Sequence, residues 1–99
     1  MFEIVFGEES IANLRELPAF KRNLILDRIT EQLAHQPSRR TRNKKILQGL
    51  NPPWKHKGPM WELRVGEYRV FYDVDSEQNR VIVRALRYKP PHLTTEEIL

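Results

Sequence analysis

Cysteine is absent from this 99-residue chain, which excludes disulfides and thiolate metal ligands. No stretch of roughly 18 apolar residues occurs, so no membrane-spanning helix is expected. The start, Met1-Phe2-Glu3-Ile4-Val5-Phe6, carries neither a basic cluster nor a long apolar run, and does not read as a signal peptide. Glycines number only 4, and none stands in a phosphate-cradling loop. The 3 histidines are scattered and no carboxylates fall at ligand spacing, so neither a metal nor a cofactor is expected. Internal repeats, low-complexity tracts and a Ser/His/Asp arrangement are likewise missing.

What remains is a single domain, 1–99, with enough apolar sequence for one small core. Its net charge of +4 favours a polyanionic partner, nucleic acid or an acidic protein, over a merely solvated basic surface. The cytoplasm is the default location.

The chain is organised around Trp61–Tyr72. Trp61, Leu63 and Val65 alternate with Glu62 and Arg64, and after Gly66-Glu67 the alternation resumes with Tyr68, Val70, Tyr72 and Val74 against Arg69, Phe71 and Asp73. This predicts an antiparallel hairpin whose two apolar sets share one face, because a one-residue slip would bury the charges instead. Arg64 and Arg69 then stand on the opposite, wetter face of neighbouring strands. Two guanidiniums on rigid strands make an anion site, since each can hold two phosphate oxygens at once. The competing reading is an ion pair to Glu62 or Asp73.

Before the hairpin, Phe2–Phe6 reads as a strand. Glu8 and Glu9 open a helix to about Leu17, and a second helix runs from about Pro18 to His35, before Pro37. Ile25, Leu26, Ile29 and Leu33 form its sheet-facing side. Phe20 and Leu24 point nearly the other way, so either the first helix or a partner must cover them. Residues 38–59 hold seven Lys or Arg, no acid, three Pro and two Gly, which predicts a long loop pinned by Ile46, Leu47 and Leu50. Arg39, Arg40, Arg42, Lys44 and Lys45 form an electrostatic track for a phosphate backbone. Trp54 reads as a core plug in preference to a base-stacking platform, and Trp61 as core. After a turn at 75–79 the last strand covers Val81–Leu86, followed by Arg87-Tyr88-Lys89 and a short tail. The order β-α-α-β-β-β predicts an α+β fold, two N-terminal helices packed on a small twisted antiparallel-rich sheet.

Thr41-Arg42-Asn43-Lys44-Lys45, then Trp61 through Val74, then Tyr88-Lys89 resemble the RelE/ParE superfamily of bacterial type II toxins, over nearly the whole chain. The Leu63–Tyr72 run is the specific part. The resemblance implies a toxin neutralised by an acidic antitoxin, with operator DNA met only through the antitoxin complex. RelE-like members cleave messenger RNA on the ribosome, whereas ParE-like members poison DNA gyrase without chemistry. A degenerate member that only binds is the remaining alternative. On the RelE-like reading Arg69 matches the strand arginine set against the scissile phosphate, Arg64 a basic position on the preceding strand, and Lys89 the basic residue after the last strand. Arg87 joins the RNA-binding set. The catalytic lysines of the best-known branch fall at Met60 and Glu62, neither of them basic. Tyr88 and His92 are the nearest counterparts of the Tyr or His that often closes the family's C-terminus. Such a metal-independent nuclease needs a base for the 2′-hydroxyl, cations for the phosphorane and an acid for the 5′-oxygen. Antitoxin binding is expected at Phe20 and Leu24.

Overall fold

The computed structural model describes residues 1–99. Elements follow in the order β1 (Glu3–Phe6), α1 (Glu8–Arg15), α2 (Ala19–Leu33), β2 (Lys44–Ile46), β3 (Trp61–Val65), β4 (Tyr68–Asp75), β5 (Arg80–Tyr88) and α3 (Thr95–Ile98). The strands form one sheet in the order β1-β5-β4-β3-β2, antiparallel except for the β1–β5 pair. The expected α+β architecture is therefore present, with β2 and α3 added to it. No helix is long and apolar enough to cross a membrane.

The β3–β4 hairpin forms in the predicted phase, with Trp61 opposite Tyr72, Leu63 opposite Val70 and Arg64 opposite Arg69. Gly66 takes φ +58° at the first of the two turn positions, where an L side chain is strained and a primed hairpin turn favours glycine. On the helix side, Ile25, Ile29 and Leu33 of α2 and Leu14 of α1 pack on Leu63, Val70, Tyr72, Val81 and Val83. Tyr72 is fully buried and its hydroxyl donates to the Pro37 carbonyl at 2.7 Å, which ties the start of the long loop to the core. Burial pushes its phenol well above the usual range.

Helix α1 closes the edge of β5 where β1 stops pairing. The Asn13 side-chain oxygen accepts from the Leu86 N–H at 2.9 Å and from Arg87 at 3.0 Å, and Glu9 pairs with Arg87 at 3.1 Å. It leaves Phe20 and Leu24 uncovered, with 71% and 53% of their surface exposed.

The other face of the sheet is drier than its alternating pattern suggests. Glu62, Arg69, Phe71 and Asp73, expected to be wet, are all buried. The reason is a second small core: Trp54 from the long loop lies 5.3 Å from Phe71, and Leu47, Ile98 and Leu99 join it over Met60 and Ala85. Trp54 is thus the plug the sequence favours. Leu47 is an anchor, whereas Leu50 packs in neither core cluster. Asp73 is made tolerable by the Arg84 guanidinium at 2.7 and 3.2 Å and by the Lys57 N–H at 2.7 Å. Arg84 is free to turn there because a bulge opposite Phe71/Tyr72 leaves it without a cross-strand partner.

Lys44 departs from the expected phosphate track. It is 5% exposed, and its ammonium donates to the Gln32 and Gln36 carbonyls at 3.0 and 2.9 Å, capping the end of α2. Burial, with Arg39 adding repulsion, pulls its pKa down. Because the cation is bonded only to backbone of this chain, Lys44→Met is expected to cost about 2 kcal/mol. That corresponds to a melting temperature lower by roughly 10 °C, read by thermal unfolding.

Candidate functional site

Alternation along β3 and β4 sets three polar side chains on the same face: Glu62 and Arg64 from one strand, Arg69 from the other. Strand β2 brings Arg42, Asn43 and Lys45 alongside, through the pairing of Lys45 with Glu62 and the bond from the Arg64 N–H to the Asn43 carbonyl at 2.7 Å. Lys89 arrives from the end of β5, its N–H held by the Glu67 carbonyl at 2.7 Å. Thr95 of α3 completes an open depression of about 250 Å³ with no apolar lining.

Five cations and one carboxylate therefore share a small space. Like charges directly opposed across a sheet destabilise it, and Arg64 faces Arg69 here, a repulsion that a bound anion would relieve. Arg69 is buried, with its Nη1 donating to the Gly66 and Tyr68 carbonyls at 2.9 Å each. Its Nε lies 3.9 Å from Glu62, a long contact that leaves the guanidinium incompletely neutralised. Burial lowers its pKa, with Glu62 acting to raise it and Arg64 to lower it. The Arg64 side chain is exposed and makes no ion pair or hydrogen bond. Glu62 is 3% exposed, accepts from the Thr95 hydroxyl at 2.7 Å and lies 3.5 Å from the Lys45 ammonium.

Of the expected catalytic residues, Arg64, Arg69 and Lys89 come together. Tyr88 does not join them: its ring meets Tyr68 edge-on at 5.7 Å, in a separate hollow beside α1. His92 is exposed near Glu97 and outside the lining of the depression. Of the expected RNA track, Arg42 and Lys45 reach the depression. Arg39 bonds the Gln36 side chain, Arg40 is exposed away from it, and Lys44 is turned inward. Arg87 braces α1 and lies over the Trp54 ring at 5.3 Å, a structural position.

Glu62 and Thr95 escape the sequence reading as site residues. Glu62 shares the phase of Arg64 and could have been found from that alone. Thr95 is placed by α3, whose start is signalled by Thr94 and Glu97, a capping box formed here in both directions. No group of three or more His, Asp or Glu side chains lies close enough to hold a metal ion.

Solved structures share this fold. The archaeal RelE–RelB complex from Pyrococcus horikoshii matches with a TM-score of 0.68 at 21% identity, over 94% of this chain and 98% of that one. The isolated Escherichia coli RelE toxin gives 0.68 at 20% identity, over 98% and 94%, and the intact E. coli RelBE toxin–antitoxin complex 0.66 at 21%, over 93% and 100%. Identities this low speak for architecture alone: the class is that of the small RelE-type toxin fold. A search of the curated proteins returns no match. The profile of the ParE toxin of type II toxin–antitoxin systems, parDE, covers residues 4–88, so the chain belongs to that family, within the RelE/ParE superfamily.

Proposed function

We propose that this toxin is a RelE-like, metal-independent endoribonuclease that cuts messenger RNA on the ribosome and is held silent by a cognate acidic antitoxin. Operator DNA would be met only through that antitoxin complex, and the cytoplasm is where its substrate lies. The supporting observation is a buried carboxylate, Glu62, set among facing arginines in an open depression.

In this reading Arg69 and Arg64 hold the non-bridging oxygens of the scissile phosphate. Glu62 takes the 2′-hydroxyl proton, the 2′-oxygen attacks phosphorus, and the bond from phosphorus to the 5′-oxygen breaks. The Lys89 ammonium supplies the proton to that oxygen, leaving a 2′,3′-cyclic phosphate and a 5′-hydroxyl. The 2′-hydroxyl confines the chemistry to RNA. Arg42 and Lys45 take the flanking phosphates.

The family profile carries the ParE name, which favours one second reading, a gyrase poison without chemistry. Such an inhibitor needs no proton acceptor, and Glu62 would then serve only to balance Arg69 and Lys45. Ribosomes programmed with a defined message, incubated with the purified chain and analysed by primer extension, separate the two. Codon-phased cuts with cyclic-phosphate ends support the nuclease. An intact message with blocked supercoiling by purified gyrase would replace it, and loss of both activities would leave only a binding protein.

A further inference from the structure

A second cationic hollow, about 540 Å³ and roomier than the basic depression, is lined by Trp54, Lys55, His56, Lys57 and Arg84. No carboxylate stands in its wall. It shares a side of the sheet with the depression, because Arg69, Phe71 and Asp73 alternate onto one face of β4 and Arg84 meets Asp73 there. Arg84 is held as a fork. Its Nε and Nη2 donate to the two oxygens of Asp73, a fully buried carboxylate. That side-on grip leaves both Nη1 protons and one Nη2 proton for another acceptor. The Lys57 N–H bonds the same carboxylate at 2.7 Å, so the 55–57 loop and the fork are fixed to one anchor. Around the fork, Lys55 makes no ion pair, and the Lys57 ammonium, 72% exposed, reaches Asp75 only at 3.7 Å. An exposed pair of that kind holds its cation weakly. His56 donates from Nδ1 to the Gly58 carbonyl at 2.8 Å, which leaves Nε2 on the opposite edge of the ring.

Cations alone fit either a phosphodiester strand or an acidic protein. Trp54 is the single apolar residue of the lining, and its ring is committed to Phe71 and Arg87. An acidic helix would find no apolar strip to seat on, whereas a planar fork beside lysines matches phosphate oxygens. Arg69 and Asp73 stand four residues apart on β4. At about 3.3 Å per residue that is about 13 Å along the strand. A stacked single strand advancing about 3.4 Å per nucleotide covers the distance in about four nucleotides.

We infer that this hollow is a second phosphate site for a single RNA strand, taking a phosphate about four nucleotides away from the one held by Arg64 and Arg69. The identity of that strand as the one to be cut rests on the nuclease reading; the binding site does not. Two sites fixed on one sheet measure length: a short RNA occupies one, and a longer RNA spans both and gains affinity from the connection.

The test uses the full chain and labelled 2′-O-methyl RNAs, which bind without being cut: a trinucleotide, an octanucleotide and a blunt hairpin, read by fluorescence polarisation. The wild type should bind the octanucleotide at least about tenfold more tightly than the trinucleotide. Lys55→Glu with Lys57→Glu should abolish that gain while leaving the trinucleotide within about twofold. Losing two phosphate contacts should also make the salt slope for the octanucleotide shallower by about 1.4. Both lysines are exposed, so the melting temperature should match the wild type. Arg84→Lys keeps a cation for Asp73 but removes the fork, and should forfeit part of the same gain. Arg15→Glu with Arg22→Glu makes an equal change of charge on the helices, and should leave the gain intact. An octanucleotide indifferent to the Lys55 and Lys57 changes, or an equal loss at both lengths or in the helix control, would overturn the inference. A loss confined to the hairpin would also overturn it, since a duplex would then own the hollow. So would displacement of the octanucleotide by polyglutamate at equal charge, which would assign the hollow to an acidic protein. The expected length dependence with no cutting of a message on programmed ribosomes would leave the strand site standing and remove the nuclease reading.

Discussion

Arg69→Ala should leave a folded protein whose RNA cleavage falls by about 10²- to 10³-fold, the usual cost of removing one preorganised donor from a developing anionic charge. The guanidinium is held from behind by the Gly66 and Tyr68 carbonyls, both at a solvent-accessible turn where water can replace it. Glu62 keeps Lys45 and Thr95 when Arg69 is gone, so the carboxylate is not stranded. A modest fall in melting temperature with a large fall in rate is therefore the expected pairing. Arg69→Lys should recover only part of the activity, because an ammonium cannot span two phosphate oxygens in the plane that a guanidinium does. In cells, induction of the wild type should stop growth and that of Arg69→Ala should not. Cleavage by Arg69→Ala at the wild-type rate, with cuts at the same positions, would move the cutting centre elsewhere.

The hairpin that carries Arg69 was legible because its two alternating runs and the intervening glycine admit only one register with the charges out of the core. The same alternation misleads about the far side. It assigns Phe71 and Asp73 to solvent, yet Trp54 and the C-terminal residues Ile98 and Leu99 cover that face, and no local pattern announces a cover that comes from so far along the chain. A large aromatic on a face read as wet was the available hint. Strand β2 is hidden in the sequence for a different reason. Lys44-Lys45-Ile46 has no alternation of its own and is a strand only because β3 offers it an edge. Lysines usually lie at the surface, which is where the sequence puts Lys44; its inward turn depends on the Gln32 carbonyl in the last turn of α2 and the Gln36 carbonyl just beyond it, a demand visible only once the helix end and the strand are neighbours. The site was accordingly half legible: the arginines and the shared face of Glu62 follow from phase, the burial of that carboxylate among them only from structure.

That carboxylate gives the second large effect. Glu62→Gln keeps the shape of the side chain and an oxygen for the Thr95 hydroxyl, but it removes the group able to accept a proton from the 2′-hydroxyl. Loss of a positioned general base costs about 10² to 10⁴ in rate. The sign of the pH dependence follows from the role: a base works only when ionised, so the wild-type rate must rise with pH along an acid limb, and in Glu62→Gln that limb should vanish and leave a low, flat profile. A purely structural Glu62, merely balancing Arg69 and Lys45, makes a different prediction. Its removal would lower the melting temperature and the rate together without changing the shape of the profile, and Glu62→Asp would restore both. Single-turnover cleavage of an RNA on programmed ribosomes across the acid range, with melting temperatures taken at each pH, separates these cases. An unchanged acid limb in Glu62→Gln would transfer the proton-accepting role to Lys89 or Lys45, and with it the need for a neutral lysine in a depression already crowded with positive charge.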